Sequence, residues 1–125
     1  NARAIEPAEA VALVRDEMLQ VERNFFRSAP TLNASLTRLD AAWATLRDHG
    51  QGEGANAFRL REAAALLASS RWAYRAAAAR SETRGMHRRL DAPAGAPALA
   101  RRLTLAGVEQ PVLNFDRPPQ EAAAS

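Results

Sequence analysis

Apolar positions repeat at helical spacing in three separate stretches of the chain. In the first stretch they recur at alternating intervals of three and four, with charged residues between them: Val11, Val14, Met18, Val21 and Phe25. This spacing lines one face of an α-helix, and Pro7 suits a first helical turn, where its missing N–H costs nothing. The pattern predicts a helix over residues 7–27. For Met18 and Phe25, a core stripe is a better interpretation than a ligand pocket.

The second stretch follows a break at residues 28–30. Its apolar positions are Leu32, Leu36, Leu39, Trp43 and Leu46. Thr31 is the predicted N-cap and Gly50 the predicted C-cap, while His49 fits the negative end of the helix better than it fits a catalyst. We therefore expect a helix over residues 31–49, followed by a flexible polar connector at 51–54.

The third stretch consists almost entirely of strong helix formers, chiefly Ala, Leu, Arg and Glu. Its helical stripe is Leu60, Ala63, Leu67, Ser70, Tyr74 and Ala77. Gly85 and Pro93 end the pattern, which predicts a helix over residues 55–84. Three helices joined by short loops run up, down and up. The predicted fold is thus all-α, a three-helix bundle of the spectrin-repeat kind over residues 7–92.

A different pattern follows the bundle, at residues 93–116. Apolar and polar residues alternate over 102–108 and 112–115, on either side of glycine and proline, which predicts a loop and a small β-hairpin. An isolated hairpin is marginal in water, so it must pack on the bundle or on a partner surface. Residues 1–6 and 117–125 are predicted to be disordered.

Composition narrows the class of protein. The 125 residues suffice for one domain, and 47% of them are hydrophobic but only 6% aromatic, so alanine supplies much of the apolar content. Small side chains favour closely packed helices. The lack of cysteine excludes disulfides, thiolate metal sites and cysteine nucleophiles. No apolar run approaches the roughly 20 residues that span a bilayer, so no membrane insertion is expected.

Charge is unevenly distributed along the chain. All 17 basic residues are arginine, with 6 against 8 acids in residues 1–54 and 11 against 6 acids in residues 55–125. A basic half can indicate nucleic-acid binding, but no aromatic stacking platform accompanies it, and we expect none. The absence of lysine indicates a GC-rich, bacterial genome. The start at Asn1, without methionine, leads us to expect a piece of a longer protein.

A short polar motif follows the third predicted helix. It consists of Glu82, Thr83, Arg84, Gly85, Met86 and His87, followed by Asp91 and Pro93. The motif resembles a signature near the C-terminus of the flavoprotein family that comprises succinate dehydrogenase, fumarate reductase and L-aspartate oxidase. Thr83 and Met86 are mild departures from its usual Ser and Ala or Leu. Residues 14–18 and the hairpin also resemble that family, whereas the lead into the third helix is shorter, which leaves the branch open.

The resemblance implies a parent FAD-dependent oxidoreductase that moves hydride between a small dicarboxylate and the flavin. The family's FAD site and catalytic residues belong to flavin-binding and capping domains that precede this region. We therefore expect no catalytic, cofactor-binding or metal-binding residue in this chain, whose sequence lacks a glycine-rich dinucleotide fingerprint. Implied partners are those two domains and an iron–sulfur electron-transfer subunit, in the cytoplasm or at the cytoplasmic face of the membrane.

The motif's own chemistry leaves alternatives open. Arg84 either lies on a solvated arginine face or binds a carboxylate through its planar guanidinium group. That carboxylate would come from Glu82, from Asp91 or from a missing domain. For His87, a structural tie is favoured over a substrate-channel or metal role. Our hypothesis is that Glu82, Arg84, Gly85, His87 and Asp91 form a domain-docking motif. The competing functions are the C-terminal domain of L-aspartate oxidase and a non-enzymatic helical module whose basic third helix binds an acidic partner.

Overall fold

The computed structural model describes residues 5–20, 24–50 and 54–116. Helix α1 is Pro7–Met18, α2 is Ala29–His49 and α3 is Ala55–Ala79. A single 3₁₀ turn, Pro97–Leu99, precedes strands β1 (Leu103–Ala106) and β2 (Val112–Phe115). The predicted three-helix bundle with a C-terminal hairpin is confirmed.

Helix α3 is the centre of the bundle, because it packs against both α1 and α2. The predicted stripes supply all of the core except Ala10 and Ala42. The core consists of Ala10, Val14, Leu32, Leu39, Ala42, Leu46, Ala63, Leu67, Tyr74 and Ala77. Four of these are alanine, as expected where helix axes approach closely. Ile5 packs on this core and Glu6 caps α1, so the ordered part begins before the predicted Pro7.

Helix α1 ends at Met18, well short of the predicted residue 27. The following chain has other partners: Asn24 Nδ2 donates to the carbonyl of Met18 at 2.7 Å, and Arg27 pairs with Arg89 in a parallel β-bridge. The local bond of Asn24 and the long-range pairing of Arg27 take the place of further helical hydrogen bonds. Phe25, predicted to lie in the core, is exposed as a result, and Val21 lies outside the described residues.

Helix α2 begins two residues earlier than predicted, and Ser28 rather than Thr31 is its N-cap. Pro30 occupies the first turn, where it is tolerated, and Thr31 at the third helical position returns a bond to the Ser28 amide. Gly50 is the C-cap as predicted, although its φ of −66° is not left-handed.

Helix α3 ends at Ala79, whereas the sequence pattern predicts residue 84. Arg80 leaves the helix with φ −88° and ψ 89°. The solvated arginine face considered for Arg84 would have needed the helix to continue through Arg88. Because α3 ends at Ala79, Arg80, Arg84 and Arg88 do not stack along one helix face.

The hairpin packs on the bundle. Its register pairs Leu103 with Phe115 and Leu105 with Leu113. Its turn is held by α3, where Trp72 Nε1 donates to the Gly107 carbonyl at 2.8 Å and buried Arg71 donates to the carbonyl of Val108 at 2.7 Å. The bundle therefore supplies the partner that an isolated hairpin lacks.

One polar residue of α1 is part of the bundle interior. Glu17, which the pattern assigns to the solvent side, is buried and accepts hydrogen bonds from Ser35 Oγ at 2.6 Å and from the Arg38 guanidinium. Tyr74 Oη donates to the Glu17 carbonyl at 2.6 Å. The three helices thus meet at one polar point as well as in an apolar core.

Candidate functional site

The motif loop, residues 80–93, folds back from the end of α3 onto the start of α2. At its tip Arg84 and His87 exchange two backbone hydrogen bonds, of 2.8 and 2.9 Å, around Gly85 and Met86. Gly85 has φ +57° and Met86 does not have a positive φ, the signs of a type II′ turn. The first central position of that turn requires glycine, which gives Gly85 a backbone role different from the predicted helix C-cap.

Glu82 is the centre of the loop. Its side chain is fully buried, and its carboxylate accepts from Arg84 Nε at 3.0 Å, Arg84 Nη2 at 3.1 Å and Arg80 Nη1 at 3.1 Å. The amide of Ala96 adds a fourth bond at 2.8 Å. The bonds from Arg84 and from Ala96 lower the pKa of Glu82 to about 2. The sequence leaves several carboxylate partners open for Arg84, and in the structure its partner is Glu82.

Arg80 extends this cluster to the hairpin. Its guanidinium donates to the carbonyls of Leu99 and Arg101, and it lies 5.6 Å from the centre of the Phe115 ring. One buried carboxylate thereby orients two arginines, one toward the hairpin and one toward the motif turn.

His87 ties the turn to both neighbouring segments. Its Nε2 lies 3.0 Å from the Arg80 carbonyl, and its Nδ1 lies 2.8 Å from Arg27 Nη1. Arginine only donates, so Nδ1 accepts and the proton is on Nε2, in the neutral imidazole. Burial of the ring lowers the pKa of His87, and the charges of Arg27, Arg89 and Arg80 lower it further.

Arg89 and Asp91 join two helix ends. Buried Arg89 donates Nη1 to the carbonyls of Ala77 and Ala78 at 3.1 and 3.2 Å, where the C-terminus of α3 lacks partners. Its Nε and Nη2 both bind Asp91 at 2.8 Å. Asp91 also accepts from the amide of Ala29, in the first turn of α2, at 3.0 Å. Each charge therefore lies at the helix end that it stabilises, and these bonds hold the pKa of Asp91 far below its usual range.

The five residues of the predicted motif lie together in this loop, but they do not act alone. Arg89, Arg27 and Arg80 also belong to the network, and the sequence pattern did not indicate them. Arg89 lies ten residues beyond the last residue of α3, and no local pattern identifies it as the residue that binds the end of that helix. Arg27 lies 60 positions from His87, and no local pattern connects them.

Among the described residues, α1 and α3 border an open groove. This groove has a volume of about 770 Å³ and contains Arg15, Asp16, Arg59 and Glu62, whose charges balance. A diphosphate requires an excess of donors, as a glycine-rich turn at a helix start provides. Residues 5–20, 24–50 and 54–116 also hold no group of three or more metal-binding side chains. Over the same ranges, no helix has the length and apolar character that crossing a bilayer requires.

The bundle, the hairpin and the internally bonded loop define a small helical domain with its polar network at one end. The chain matches the family model described as fumarate reductase flavoprotein C-term over residues 15–114. It belongs to that family of flavoprotein C-terminal domains, and the suspected resemblance is confirmed. Comparisons with curated proteins and with solved structures gave no match.

Proposed function

We propose that this chain is the helical C-terminal scaffold of an FAD-dependent oxidoreductase acting on a small dicarboxylate. The observation that carries the proposal is the family match over residues 15–114. In this proposal FAD belongs to the flavin-binding and capping domains of the same polypeptide. An iron–sulfur subunit and a cytoplasmic location are the remaining parts of the proposal.

The role proposed for the motif loop is to give the bundle a rigid face for those domains. Support comes from the side chains of Glu82, Arg84, His87 and Asp91, which all form hydrogen bonds with other residues of this domain. Side chains bonded in this way shape the loop and leave its other residues free for contact. The chemistry of hydride transfer belongs to the flavin when it is bound, and the proposal gives the described residues a scaffold role.

The test is a flavin absorbance spectrum of the full-length protein that carries this domain, followed by assays with succinate, fumarate and L-aspartate in turn. We expect bound FAD and turnover of one of the three. Arg84→Ala in that protein removes two of the four bonds to buried Glu82 and should loosen FAD retention. Arg61→Ala, an exposed arginine of α3, is the matched control.

A colourless full-length protein, inactive on all three acids, would overturn the oxidoreductase proposal. A yellow protein in which Arg84→Ala and Arg61→Ala behave alike would leave the oxidoreductase standing and remove the role given to the loop.

A further inference from the structure

His87 joins the motif loop to two other parts of the chain, through hydrogen bonds that respond differently to a proton. Nε2 donates to the Arg80 carbonyl at 3.0 Å, and Nδ1 accepts from Arg27 Nη1 at 2.8 Å. A proton added at Nδ1 leaves the first bond in place. It turns the second contact into two donors that face each other, each with a positive charge. Protonation therefore breaks the bond to Arg27 and spares the bond to Arg80.

The charged groups around the ring oppose a further positive charge there. Those that act on it are Arg27, which precedes α2, and Arg89 and Arg80 of the motif loop. From α3, the group that acts on Arg27 is the neutral hydroxyl of Tyr74. An imidazolium in this place is therefore repelled by three guanidinium groups.

The carboxylates of the network are already bound by arginine. In the motif loop Glu82 and Asp91 each bind an arginine, and Glu17 of α1 does so in the bundle interior. Their hydrogen bonds lower the pKa of Glu82 to about 2 and hold the pKa of Asp91 far below its usual range. Both stay ionised at pH 5, so His87 is the group of the motif loop that changes charge between pH 7.5 and pH 5.

Residues 24–28, which we call the Arg27 segment, have weak alternatives to the bond with His87. The Arg27 amide donates to the Arg88 carbonyl at 3.0 Å, and the Leu90 amide donates to the Arg27 carbonyl at 2.6 Å. The other side-chain bonds of Arg27 go to Asn24 of the same segment and do not attach it to the loop. Phe25 is exposed, so its ring adds little burial to hold the segment in place.

Arg27 also lines two cavities. One, of about 300 Å³, includes Phe25 and Met86, and the other, of about 50 Å³, includes Asn24 and Tyr74. Tyr74 is only 2% exposed, and its hydroxyl joins α3 to α1. Withdrawal of the Arg27 guanidinium would connect the two cavities and admit water to that hydroxyl.

We propose that His87 is a pH-sensitive switch: when Nδ1 takes up a proton, Arg27 is expelled and the Arg27 segment detaches from the motif loop, while the turn at Gly85 stays bound to the end of α3. The switch consists of residues of this chain alone, so it is independent of the function proposed above.

Proton linkage sets the size of the effect. In the detached state the His87 ring is hydrated and has its ordinary pKa of 6.5, whereas in the attached state burial and the three arginines lower its pKa. Acid favours the state that binds the proton more tightly, which is the detached one. Between pH 7.5 and pH 5, the equilibrium constant for detachment should rise by up to about thirtyfold.

Hydrogen–deuterium exchange, followed by mass spectrometry, tests this in the full-length protein that carries this domain. Exchange at each pH is compared with that of the same protein in urea, so that the intrinsic pH dependence of exchange cancels. We expect the protection of peptides that contain residues 24–28 to fall by about tenfold or more between pH 7.5 and pH 5. Peptides from residues 63–77, in the centre of α3, should keep their protection.

Three variants identify the responsible group. His87→Gln keeps a donor and an acceptor but takes up no proton, so the Arg27 segment should stay protected at both pH values. Arg27→Met removes the donor at Nδ1 and should leave the segment weakly protected at both. The matched control is Arg88→Met, which removes an exposed arginine beside the same β-bridge and should respond to pH as the parent does.

Each contrary result overturns the switch. Protection of the Arg27 segment that is unchanged across this pH range in the parent does so, even if a variant fails to fold. A pH response that persists in His87→Gln belongs to another group. Acid loss of protection that extends through α3 is unfolding of the domain instead of release of one segment. Exchange does not require flavin, so a colourless protein would refute the oxidoreductase and leave this test valid.

Discussion

Two buried glutamates organise this domain, and they do so over very different distances along the chain. Glu82 is bound by Arg80 and Arg84, two residues to either side, and shapes a loop. Glu17 is bound by Ser35 and Arg38, which lie 18 and 21 residues away, and joins α1 to α2. A buried carboxylate bound by arginine therefore fixes the shape of a loop at one end of the bundle, and in the interior it holds two helices together.

Removal of the Glu17 side chain is expected to have the largest effect on the stability of the domain. Glu17→Ala leaves the buried hydroxyl of Ser35 without its acceptor and opens space beside Tyr74, whose hydroxyl bonds to the Glu17 carbonyl. Arg38 is 44% exposed and is hydrated when Glu17 is removed, so the main loss is the buried Ser35 hydroxyl left unbonded, which costs about 1–3 kcal/mol. We expect the free energy of unfolding, measured in urea by circular dichroism, to fall by about that amount.

The control for Glu17→Ala is Glu62→Ala, an exposed acid of α3 whose loss should change stability by less than about 0.5 kcal/mol. If the two variants unfold at the same urea concentration, Glu17 is not the packing tie described here.

The two glutamates also show which contacts can be predicted from a sequence and which cannot. Periodicity predicted the stripes of α2 and α3, because Leu39, Leu67 and Tyr74 repeat at a spacing that only the local helix determines. The motif likewise placed Glu82 near Arg84. The same periodicity was wrong for residues after Met18, where Asn24 bonds to the carbonyl of Met18 and Arg27 bonds to the distant His87. It also assigned Glu17 to solvent. Tertiary bonds between residues far apart in sequence leave no periodic trace.

Removing the charge of Glu82 tests whether its carboxylate stabilises the loop. The pKa of Glu82 falls from 4.5 to about 2 on folding, so its ionised form stabilises the protein at pH above 4.5. That contribution is lost as the pH falls from 4.5 toward 2. We expect Glu82→Gln to be less stable than the parent at pH 7, and the two unfolding curves to converge as the pH is lowered.

Asp91 is present in both proteins, so its own titration cancels from the difference between them. A gap between parent and Glu82→Gln that stays constant across the acid range would show that the Glu82 charge does not stabilise the loop.

The smallest expected effect belongs to His87. Its ring is neutral because Nδ1 accepts from Arg27 while Nε2 donates to the Arg80 carbonyl, and Arg89 adds a further positive charge nearby. The pKa of His87 therefore lies below 6.5, and in the range below 6.5 the unfolded chain binds more protons than the folded one. Stability should be complete above that range and should decline as the pH falls through the folded pKa.

Long-range ¹H–¹⁵N spectra distinguish the two neutral forms of histidine directly, and we expect the Nε2-protonated form for His87. Replacement of Arg27 by Ala removes both the donor at Nδ1 and a nearby charge, so the pKa of His87 should rise toward its ordinary value. Burial, the larger cause of its lowering, remains, and the rise should be partial. A proton found on Nδ1, or a pKa unmoved by Arg27→Ala, would mean that Arg27 does not set the state of this ring, and that the turn is tied to α3 alone.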